Sequence, residues 1–62
     1  MNELQRILAE LEHIHESLND LSMSILSQAI ENGETTRPAT EKHVSQARRA
    51  VAKAIDHLNG AG

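Results

Sequence analysis

Between Glu10 and Glu16 the chain reads Glu-Leu-Glu-His-Ile-His-Glu, its densest group of side chains able to hold a metal or move a proton. Glu10 and His13 stand three apart, as do Glu12 and His15, and that spacing puts each pair on one helix face. A metal inside a helical bundle needs its ligands pointing inward. Glu12 and His13 project away from the apolar seam through Leu11, Ile14 and Leu18, and only His15 borders it. No metal or other cofactor is therefore expected. A histidine at the edge of a helical interface would instead make association mildly sensitive to pH.

The second candidate surrounds Pro38, where a helix should begin. Free backbone N–H groups there, with the hydroxyls of Thr36 and Thr40 and the charges of Arg37 and Lys42, form an arrangement that suits an anion or a nucleotide phosphate. His43, Arg48 and Arg49 extend the positive surface. Catalysis has less to stand on. No cysteine nucleophile, glycine-rich phosphate loop or Ser-His-Asp spacing occurs, and the protein is not expected to be an enzyme.

Positioning these groups falls to two helices. Leu4, Ile7, Leu11, Ile14, Leu18, Leu21 and Ile25 follow one another in steps of three and four, the a/d stripe of a coiled coil. Asn2 is a good N-cap, with Gln5 placed to complete a capping box, and Asn32-Gly33 is a stop. Helix 1 is expected over about 2–31. The poor helix formers from Ser17 to Ser24 permit an alternative, a three-helix bundle broken near Asn19-Asp20. Continuity is preferred because the stripe keeps phase across them.

Residues 32–37 read as a connector, 38–59 as helix 2 ending at Asn59-Gly60, and 60–62 as a flexible tail. Helix 2 repeats Val44, Ala47, Val51, Ala54 or Ile55, and Leu58, with small residues at Ala47, Ala50 and Ala54. A short connector between long helices favours an antiparallel hairpin, here one all-α domain over 1–62.

That hairpin looks incomplete alone. Helix 2 is expected to cover only the last two-thirds of helix 1, leaving Leu4, Ile7 and Leu8 without an intrachain partner. Met23, Leu26 and Ile30 fall off the main stripe at the other end. Both sets ask for a second chain, most simply a homodimer forming a four-helix bundle. The expected oligomer interface is Leu4, Ile7, Leu8, Leu11, Ile14, Leu18, Leu21, Met23, Ile25, Leu26 and Ile30.

Charge and composition narrow the function. Seven acids oppose Arg6 in residues 1–34, giving −6, while five bases oppose Glu41 and Asp56 in 35–62, giving +3. The halves should attract one another. The absence of Phe, Tyr and Trp removes the stacking platforms of single-strand nucleic-acid binders, and nine acids beside six bases make a poor polyelectrolyte partner. No signal-peptide layout or membrane span is visible, so a soluble, cytoplasmic protein is expected.

Three resemblances bear on these residues. The Glu-x-x-His spacing resembles that of carboxylate-bridged metal bundles, over those few positions alone. The hairpin, with Ala47-Arg48 in its second helix, resembles small phage-encoded helical oligomers that sequester signalling nucleotides, which implies an oligomeric binder of a phosphorylated small molecule. The same architecture is similar to two-helix proteins that pair into RNA-binding four-helix bundles. The leading expectation remains a non-enzymatic regulatory or adaptor module that binds itself and another protein.

Overall fold

A computed structural model describes residues 2–61. Asn2 begins the first helix, its side-chain oxygen accepting from the Gln5 amide at 2.9 Å. Helix α1 then runs Glu3–Glu31 without interruption, through Asn19 and Asp20, so the three-helix alternative does not hold. Its end is a Schellman motif: Gly33 N–H donates to the Ile30 carbonyl and Glu34 N–H to that of Ala29, each at 3.0 Å. Gly33 sits at φ +74°, a conformation only glycine adopts without strain, and the chain turns there.

Helix α2 spans Ala39–Ala61, with Pro38 ahead of it accepting a bond from Lys42 N–H. The predicted stop at Asn59-Gly60 and flexible tail are corrected: Gly60 and Ala61 are helical. Gly60 does not take the positive φ that closed α1 at Gly33. Glycine in a last turn costs only about 1 kcal/mol relative to alanine, and packing of half-buried Leu58 against α1 offsets it. Residue 62 lies outside the described residues.

The two helices pack against each other as a hairpin 47 Å long. Their contact does not follow the predicted stripe. Leu4, Leu8, Leu11, His15, Leu18, Ser22, Ile25 and Ala29 are buried or half-buried in α1, again in alternating steps of four and three, and Leu26 is half-buried beside them. Ile7, Ile14 and Leu21 lie at the edge of this row and remain 37%, 46% and 46% exposed. What reads as one stripe is thus two rows sharing Leu4, Leu11, Leu18 and Ile25 as neighbours.

Helix α2 presents Glu41, Val44, Ser45, Arg48, Val51, Ala52, Ile55 and Leu58. Ala47 and Ala50, expected in its seam, are exposed, and Ala54 is half-buried. Coverage of α1 is also more complete than expected. Ser22 opposite Glu41 and Asn19 opposite Arg48 bring Ala61 level with positions 2 to 6 of α1. Leu4 and Leu8 consequently have an intrachain partner and are half-buried, because the connector doubles back and α2 is longer than predicted.

Candidate functional site

The tightest cluster in the hairpin lies where α2 begins. Glu41 and Ser45 stand one turn apart on one face of α2, and Arg37, two residues ahead of its start, reaches both. The Glu41 carboxylate accepts from the hydroxyls of Ser45 and of Ser22 on α1, each at 2.7 Å, and from the guanidinium of Arg37, whose Nη2 also donates to Ser45 Oγ at 2.8 Å. Glu41 is 1% exposed, Ser45 2% and Ser22 6%. A carboxylate shut away from water is costly unless it is bonded, and this one is bonded from three sides.

Hydrogen bonding from Arg37, then from Ser22 and Ser45, holds the Glu41 carboxyl down at about 2 against its ordinary 4.5. The same contact raises Arg37 above its ordinary value. Because the folded state depresses the carboxyl, its contribution to stability is complete above about pH 4.5 and is lost as pH falls through about 2. Acid titration followed by helical circular dichroism should therefore show unfolding that develops inside that window. In Glu41→Gln the part due to this group should vanish.

This network changes the meaning of the predicted anion site. Arg37 is engaged by a carboxylate of its own chain, and Glu41 puts negative charge in the first turn of α2. The remaining candidates do not converge. Thr36, Thr40, Lys42, His43 and Arg49 are exposed, with Lys42 and His43 about 100° apart around the helix. Arg48 turns toward α1, where Nη1 donates to Asn19 Oδ1 at 3.0 Å while its buried Nε finds no acceptor among the described residues.

The Glu10–Glu16 segment is dispersed in a similar way. Glu10 pairs with Arg6, Glu12 and His13 are exposed, and His15 lies in the seam itself between Leu11 and Leu18, where a border position was expected. Among the described residues no three His, Asp or Glu side chains gather as a metal would require. None of the helices is long and apolar enough to cross a membrane.

Five large apolar side chains of α1 remain exposed. At about 100° per residue, Ile7, Ile14 and Leu21 stand some 80° to one side of the buried row, and Met23 and Ile30 some 120° to the other. Met23 is 62% exposed and Ile30 75%. Antiparallel packing reverses the second helix, so the flank shared with Ile14 carries Ala47 and Ala54. Leu4, Leu8, Leu11, Leu18, Ile25 and Leu26, also expected at the oligomer interface, are half-buried within the chain.

Comparison of the chain with protein-family models, with curated proteins and with solved structures finds no match in any of the three. The class the geometry defines is a two-helix hairpin with a buried polar clasp and two uncovered apolar flanks.

Proposed function

We propose that this chain is a small non-enzymatic helical module that associates with its own copies and acts as a regulatory or adaptor protein, most simply as a homodimer forming a four-helix bundle. The observation that carries this reading is the emergence of large apolar side chains on two opposite flanks of an already paired hairpin. One flank, Ile7, Ile14 and Leu21, is a seven-residue repeat running along about half of α1 and suits a second helical hairpin. The other, Met23 and Ile30, is a short patch near the connector and suits a segment of a different protein.

Association that buries the long row adds mass action to stability. The melting temperature of the protein should rise with its concentration, and replacing Ile7, Ile14 and Leu21 together by serine should remove that dependence while leaving the helix content unchanged. Circular dichroism is the readout, since the chain has no aromatic residue. A melting temperature independent of concentration over about two decades would contradict self-association.

A further inference from the structure

We infer that the second copy docks with its α2 over α1, so that Ile7, Ile14 and Leu21 enter three successive holes on the second copy's α2, about a two-fold axis parallel to the helices. This rests on the self-association proposed above and specifies which surfaces meet.

The register comes from contacts within one chain. With 22 opposite 41, position 14 stands level with 49; with 19 opposite 48, it stands level with 53. A two-fold axis along the helices moves nothing lengthwise, so Ile14 also stands level with 49 to 53 of the second copy. A knob in helical packing enters a hole bounded by residues i, i+3, i+4 and i+7. On the flank of α2 in question the hole at that height is Ala47, Ala50, Val51 and Ala54, centred between 50 and 51.

Seven residues either way the match repeats. Leu21 falls at the hole bounded by Thr40 and Ala47, and Ile7 at the one bounded by Ala54 and Ala61. One intrachain register therefore satisfies all three knobs with no sliding. Size agrees, because the central hole is three alanines and a valine, facing an isoleucine.

Charge agrees as well. Residues 3–31 carry six acids against Arg6, or −5, and residues 39–61 carry four bases against two acids, or +2. Laying α1 on the second copy's α2 brings a helix of net negative charge beside one of net positive charge, although the four bases lie off the docked flank. The other two-fold, perpendicular to the helices, would lay α1 on α1 and place two helices of net charge −5 together.

The chain has no cysteine, so introduced thiols report the pairing directly. Ile14→Cys mixed with Ala50→Cys and oxidised should give a covalent dimer, while either variant alone should give little. Ala50→Leu, at an exposed position of the hairpin, should fill the central hole and raise the dissociation constant about tenfold or more with helix content unchanged. Efficient linkage of Ile14→Cys to itself, or absence of the mixed link together with unaltered affinity in Ala50→Leu, would overturn the pairing. If wild-type protein still sedimented as a dimer, self-association would stand. A wild-type mass of 6.8 kDa would end both.

Discussion

Replacing Glu41 by alanine is expected to lower the melting temperature by about 10 °C or more, a large effect for a single carboxylate in a domain of this size. The loss comes less from the missing charge than from what it strands. Ser22 and Ser45 keep buried hydroxyls whose acceptor has gone, and the Arg37 guanidinium loses its ion-pair partner. Leaving a buried polar group unmatched costs more than a made hydrogen bond contributes. Removing the whole set should therefore be gentler than removing its centre: Ser22→Ala, Ser45→Ala and Glu41→Leu together should recover much of the stability that Glu41→Ala loses. Thermal melts at neutral pH decide it, and equal melting of Glu41→Ala and wild type would refute the clasp.

Ile14→Asp is expected to act on association and leave the hairpin intact. Ile14 is outside the intrachain seam, so the folded chain tolerates a polar side chain there. In a dimer the aspartate would stand in the middle of the interface with no cation among Ala47, Ala50, Val51 and Ala54 to meet it. Burying an unpaired charge costs several kcal/mol, so the dissociation constant should rise on the order of a hundredfold or more. Leu18→Asp should behave differently, because Leu18 packs within the chain and its loss should lower helix content itself. The contrast between neighbours on the same helix separates folding from assembly.

Local signals made the helices and their ends legible in the chain. Asn2 with Gln5 at the start of α1, and Asn32-Gly33 at its end, are backbone-level instructions read within a few residues. The seam was harder. Ranking positions by hydrophobicity selects Ile14 and Leu21 over His15 and Ser22, yet the latter two face α2. The reason is nonlocal: Ser22 is wanted inside because Glu41, nineteen residues away, needs a donor there. Arg37, Glu41 and Ser45 do announce themselves through their four-residue spacing. Reading Arg37 as a free cation for an external anion overlooked the internal carboxylate one turn later.

Likewise, the small residues Ala47, Ala50 and Ala54 marked a face for close helix approach, but not which helix would approach. Within the chain that place is taken by Val44, Arg48, Val51 and Ile55. The alanines are left to face outward or to the edge, beside the row of Ile7, Ile14 and Leu21.

Sedimentation equilibrium of the wild-type protein at micromolar concentration tests most directly whether a second copy covers that row. A species of twice 6.8 kDa, falling toward the single-chain mass on dilution, is the expected result. A fully helical, cooperatively melting species that stays at 6.8 kDa at every concentration would contradict it.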